Sequence, residues 1–119
     1  MRCNAALAAW AALAASAAVA APSPTGRYDA ELCVATRPET APTCGAAEAD
    51  VRPGRIDIRV ADIVYRLALR TAQLDIETMH GGMQIDEFSA AYDWEGTTLR
   101  FSDAAKSVRY EVRIGARRR

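Results

Sequence analysis

The chain has 119 residues, half of them hydrophobic, with 15 Lys and Arg against 15 Asp and Glu and a formal net charge of zero. That balance argues against nucleic acid or an anionic surface as an obligatory partner, since both demand a clustered excess of basic side chains. The length allows one domain with one core and hardly two.

Arg2 precedes an uncharged Ala- and Leu-rich run from Ala5 to Ala20, and Ala18 and Ala20 put small residues where a signal peptidase inspects the chain. Residues 1–20 are therefore expected to be a cleaved signal peptide and residues 21–119 a single secreted or periplasmic β-rich domain of bacterial type. The apolar run is short for a spanning helix and Pro22 and Pro24 follow at once, so no stable membrane anchor is expected in the mature form. Cys3 lies ahead of the apolar run, which gives no support for lipid anchoring. Cleavage removes Arg2 alone among the charged residues and leaves 14 basic against 15 acidic. The one basic cluster, Arg117 to Arg119, reads as a frayed and solvated tail.

Cys33 and Cys44 remain, and an even pair in an exported chain is most simply a disulfide. The stretch between them, VATRPETAPT, reads as a loop. Closing a ring of that size stabilises by roughly 3 kcal/mol in the chain-entropy model, against a total of about 5 to 10 kcal/mol for a small domain.

The mature part alternates. Tyr28, Ala30, Leu32 and Val34 fall on one face of a first strand, with Cys33 on the polar face. A short strand around Val51 ends at Pro53 and Gly54, a strong turn dipeptide. Ile56, Ile58 and Val60 then alternate with Asp57 and Arg59. The phase breaks at Ala61 and Asp62, and the spacing beyond fits either of two elements. As a strand after a bulge or corner, Ile63, Tyr65, Leu67 and Leu69 share a face; as a helix near 62–73, Asp62 is the N-cap. The strand is favoured, because no Gly or Asn closes a helix before Leu74.

The centre of the pattern is LDIETMHGGMQIDEFSAAYDW, residues 74 to 94. Leu74 and Ile76 on one arm, and Met83, Ile85 and Phe88 on the other, are the expected inward residues of a hairpin hinged at His80, Gly81 and Gly82, the glycines supplying positive φ. Tyr92, Trp94, Leu99 and Phe101 continue the alternation, SDAAK is a connection, and Val108, Tyr110, Val112 and Ile114 form the last strand. Seven to eight short strands describe an all-β fold, a small antiparallel sandwich or barrel, with α+β as the alternative if 62–73 is helical.

Chemistry is sparse. There is one histidine, and no GxSxG, HExxH or phosphate-binding glycine loop. The expectation is a non-catalytic domain with no cofactor that binds a protein partner, as an inhibitor or accessory envelope protein, with Tyr92 and Trp94 as partner-binding candidates. Small secreted β-barrels that inhibit lysozyme are similar in size, export signal and disulfide use, though no motif carries that likeness. Two alternatives stand beside it. Met79, His80 and Met83 are soft ligands suited to Cu(I) and would make a periplasmic copper-binding protein. The many carboxylates, Asp86 and Glu87 among them, would serve a small hydrolase through an acid/base pair.

Overall fold

The computed structural model describes residues 23–37 and 40–118, and the expected signal peptide lies outside them. Nine strands follow one another: β1 (Gly26–Ala35), β2 (Thr43–Arg52), β3 (Arg55–Val60), β4 (Ile63–Leu69), β5 (Leu74–His80), β6 (Met83–Ala90), β7 (Tyr92–Glu95), β8 (Thr98–Asp103) and β9 (Val108–Arg117). All neighbouring pairs are antiparallel, in the order β6-β5-β4-β3-β2-β1-β9-β8-β7. The two ends of that order, β6 and β7, are consecutive in the chain and separated by Ala91 alone, so the sheet curls into a nearly closed barrel. The segment from Met83 to Glu95 is shared: its first part pairs with β5 and its second part with β8.

The core lies inside this curl. Leu32, Val51, Ile56, Ile58, Leu67, Leu74, Ile76, Leu99, Phe101, Val112 and Ile114 are buried, each on the inward phase of its strand. Period-2 patterning against one buried face is what fixes such a register, since a slip of one residue turns every inward side chain to water. Tyr65, Phe88, Tyr92, Trp94 and Tyr110 are half-buried and pack against the same core.

Four expectations need correction. The favoured strand after Asp62 is present as β4, but the phase break at Ala61 and Asp62 is a full chain reversal and not a bulge: Val60 pairs with Ile63, and β3 and β4 form a two-residue hairpin with Ala61 at φ 53°. The inward set Ile63, Tyr65, Leu67 and Leu69 survives, because two turn residues between paired ends return the chain in matching phase. No helix occurs among the described residues.

β2 is ten residues long where a loop and a short strand are expected, and it pairs with β1 from Val34↔Thr43 to Gly26↔Val51. Its inward residues include Ala47 and Ala49, too small to show as an apolar alternation.

Met83 and Ile85 do not face inward; they are 67% and 53% exposed. A register irregularity between Thr78 and Met79 takes the partner from Asp86 to Gln84, which leaves Ile85 as the extra residue. The inward phase of β6 is thereby carried by Asp86, Phe88 and Ala90, opposite the buried Thr78, Ile76 and Leu74.

The basic end is not a frayed tail among the described residues. Arg117 lies 5.9 Å from the Tyr28 ring centroid and donates to the Thr25 carbonyl at 2.9 Å, while Arg118 pairs with Asp29 and Glu48 at 3.2 and 2.7 Å.

Candidate functional site

The sheet closes unevenly, and that unevenness builds the site. β6 and β8 lie side by side but share no ladder of hydrogen bonds. Side chains fill the seam instead. Phe88 stacks on Tyr110 at 5.9 Å and lies 6.3 Å from Phe101, Phe101 stacks on Tyr110 at 5.0 Å, and Tyr65 meets Tyr110 edge-on at 6.1 Å. Aromatic contacts in this range contribute about 0.5–1.5 kcal/mol each beyond the area they bury.

A polar cluster adjoins the aromatic one. Lys106, in the turn between β8 and β9, reaches across the seam and donates to Asp86 Oδ2 at 2.6 Å. Its ammonium is 3.9 Å from Asp103 Oδ2, an ion-pair distance too long for a hydrogen bond. Asp103 is buried; its Oδ1 accepts the Lys106 backbone N–H at 3.3 Å, while Oδ2 has no hydrogen-bond partner among the described residues. The Lys106 hydrogen bond holds the Asp86 carboxyl below its ordinary value, and the same contact pushes Lys106 up. Burial pushes the Tyr110 hydroxyl up to about 12, reinforced by Tyr65, Asp103 and Asp86. Burial also raises Tyr65.

Beside the seam the outer surface is concave. A groove of about 710 Å³ runs over β1, β9, β8 and β7, borders the end of β6 and reaches inward to Tyr92, Phe101 and Tyr110. Pairing aligns Cys33 with Glu111, Glu111 with Arg100, and Arg100 with Asp93, one outward row across four strands. A second row runs from Ala35 through Arg109 to Ser102. Cys33 and Ala35 are on the outer phase yet buried, and with Pro42, Ala91 and Ala104 they give the groove an apolar floor and wall. The rim carries charge of both signs. Arg100 binds Asp93 at 2.7 Å and Glu95 at 2.9 Å, and Arg113 joins Glu111 at 3.2 Å to Glu31 at 2.9 Å.

The expected disulfide is present. Cys33 and Cys44 are directly opposite on β1 and β2, with Cα atoms 4.0 Å apart. Glu31, Cys33 and Cys44 fall within 4.8 Å of one another, but the two sulfurs are bonded together and offer no thiolate to a metal.

His80 and Met83 are a cross-strand pair at the end of the β5–β6 hairpin and both are exposed. Strand alternation puts Met79 on the other face, opposite Val64 and Gln84, so the three do not converge through strand geometry alone. Tyr92 and Trp94 face inward toward the end of the barrel opposite the Lys106 turn; the Tyr92 hydroxyl donates to the Arg70 carbonyl at 2.7 Å.

No family model, curated protein or solved structure matches this chain. Its geometry alone therefore carries the functional reading. The seam residues Asp103 and Lys106 and the groove residues Arg100, Arg109 and Glu111 had no signal of their own in the sequence. Each is an ordinary outward or turn residue until the pairing of β8 with β7 and β9 brings them together.

Proposed function

We propose that the protein acts by binding and not by catalysis, and that its ligand is a protein partner seated in the groove beside the seam, in the manner of an inhibitor or accessory envelope protein. The observation that carries this is the groove itself: an apolar floor at Cys33, Ala35 and Pro42 inside a rim of Arg100, Arg109, Asp93 and Glu111. An apolar centre within a polar rim is the usual anatomy of a protein interface. The Cys33–Cys44 bridge ties the floor to the neighbouring strand, so little ordering has to accompany binding. A disulfide there is compatible with an oxidising, exported compartment. Most charged groups along the rim are already paired with one another, which suits recognition by complementary charge more than general acid/base work.

A photo-crosslinking residue placed at Ser102 in the groove tests this against the same residue at Ala72, in the turn at the opposite end of the barrel. In envelope extract the groove position is expected to give one discrete adduct that Ala91→Arg abolishes. Equal adducts from both positions, or none from Ser102, would overturn the proposal.

A further inference from the structure

The polar cluster at the seam holds an acceptor that nothing uses. Asp86 on β6 and Asp103 on β8 both stand on the inward phase of their strands, and Lys106 Nζ is 2.6 Å from Asp86 Oδ2 and 3.9 Å from Asp103 Oδ2. Two carboxylates thus face one ammonium, which hydrogen-bonds to one of them. Asp103 is 3% exposed, and its Oδ2 accepts no hydrogen bond among the described residues. A buried acceptor in that state costs stability until a donor reaches it.

The present occupant is easily displaced. Lys106 belongs to an exposed turn, its side chain is 54% exposed, and an ion pair at such a site contributes little. It is also the one lysine in a chain with fourteen arginines. The distinction is chemical: an ammonium is a compact point charge, whereas a guanidinium is a planar fork of N–H donors that can serve two carboxylates at once. On the inner side Phe88 follows Asp86 on the inward phase of β6 and stacks on Tyr110, so the seat has an aromatic wall where charge-assisted hydrogen bonds are screened less than in water. On the outer side Ser102 and Ala104, the neighbours of Asp103, line the groove, which places the seat at the groove's margin.

We infer that this seat takes a guanidinium group, that of an arginine side chain on the protein partner in the groove, which displaces the Lys106 ammonium and donates to Asp86 and Asp103 together. The source of the arginine rests on the groove reading; its chemistry rests on the seat alone.

The test uses the full chain labelled with ¹⁵N, following the backbone amides of Asp103 and Lys106. Nα-acetylarginine amide is titrated at constant ionic strength, with the citrulline compound as the uncharged isostere and the lysine compound as the ammonium control. The arginine compound is expected to shift both amides saturably, to bind at least about tenfold more tightly than the citrulline compound, and to bind more tightly than the lysine compound. Asp103→Asn, which keeps the shape and removes the charge, is expected to lose the preference for arginine, and Lys106→Met, which vacates the seat, to bind it several-fold more tightly. In envelope extract Asp103→Asn is also expected to weaken the Ser102 adduct. In the unaltered chain, the absence of a saturable shift, or equal affinity for the arginine compound and either control, would overturn the inference, and an undiminished Ser102 adduct in Asp103→Asn would overturn the assignment to the groove's partner. The adduct in the unaltered chain reads the groove and the titration reads the seat, so either can fail without the other.

Discussion

Lys106 Nζ lies 2.6 Å from Asp86 Oδ2, and this ion pair ties β6 to the turn that follows β8, on the side where β6 and β8 share no ladder. An exposed ion pair contributes little, about 0–1 kcal/mol, and the Lys106 side chain is 54% exposed. What raises the stake is Asp103, buried and 3.9 Å away, whose Oδ2 accepts no hydrogen bond among the described residues. Lys106→Met is therefore expected to destabilise by about 1–2 kcal/mol, more than a surface pair, because it strands a buried carboxylate. Asp103→Asn in that background is expected to restore part of the loss. A denaturant double-mutant cycle over Lys106 and Asp103 checks both; a loss below about 0.3 kcal/mol for Lys106→Met would show that the aromatic stack alone closes the seam.

The seam also sets a pH window. Asp86 is held below its ordinary value by Lys106, so its contribution is present above the unfolded carboxylate value of about 3.9 and is lost as pH falls through the lowered folded value. Tyr110 works in the opposite direction. Its folded value is pushed up to about 12 by burial, so the contribution of its neutral form is complete below the unfolded value of about 10 and is lost as pH rises through 12. Phenolate absorbance should show Tyr110 ionising only near pH 12, together with loss of stability over that interval. Full ionisation of all four tyrosines by pH 10.5 with the fold intact would contradict a closed seam.

The β6 register makes a sharp contrast between neighbours. Ile85 is exposed as the extra residue of the irregularity, whereas Phe88 lies inward against Phe101 and Tyr110. Ile85→Lys should change stability by no more than about 0.5 kcal/mol, and Phe88→Ala should cost about 2–4 kcal/mol. Thermal unfolding of the two variants decides it. The opposite ranking would place Ile85 in the core.

How far these features are legible in the sequence depends on whether one strand's pattern or the pairing of two decides them. Ile56, Ile58 and Val60, and likewise Leu74 and Ile76, alternate against polar residues and declare their inward faces unaided. Tyr65, Leu67 and Leu69 are equally clear in face, although Ala61 lacks the glycine that marks the other tight turns, which hides the reversal before them. β2 is obscured for a different reason: Ala47 and Ala49 bury little surface, so a core strand has the composition of a loop. Met83 and Ile85 mislead because an extra residue on one strand is set by the partner's geometry, which no single-strand pattern records. The seam and the groove assemble residues from β1, β6, β8 and β9, and only the order of the curled sheet makes them neighbours.

The disulfide joins residues already opposed in the ladder, Cys33 on β1 and Cys44 on β2. Its removal should leave the pairing intact and act mainly by freeing the unfolded chain. Cys33→Ala with Cys44→Ala is expected to cost about 2–3 kcal/mol. Thiol labelling of the unfolded, unreduced protein should find neither residue free. A double variant as stable as the parent would mean that the β1–β2 connection is held by the barrel alone.

Ala61 is, with Ser107, one of two non-glycine residues at positive φ among the described residues. It turns the chain between Val60 and Ile63 at φ 53°, a region that costs an alanine about 1–2 kcal/mol and a glycine almost nothing. Gly81 meets the same demand in the β5–β6 hairpin at φ 63°, and Gly82 is not in the positive-φ region, so only one of those two glycines is required by its conformation. Gly81→Val should therefore destabilise by more than Gly82→Val. Ala61→Gly should act in the other direction. It relieves the strain, and against this stands the greater freedom glycine gives the unfolded chain, about 0.4–1 kcal/mol. The balance is a gain of about 0.5 kcal/mol. Ala61 is exposed, so no packing change complicates the comparison. Chemical denaturation of Ala61→Gly beside the parent measures the difference, and a loss of stability would mean that the β3–β4 turn does not hold Ala61 in the left-handed region in solution.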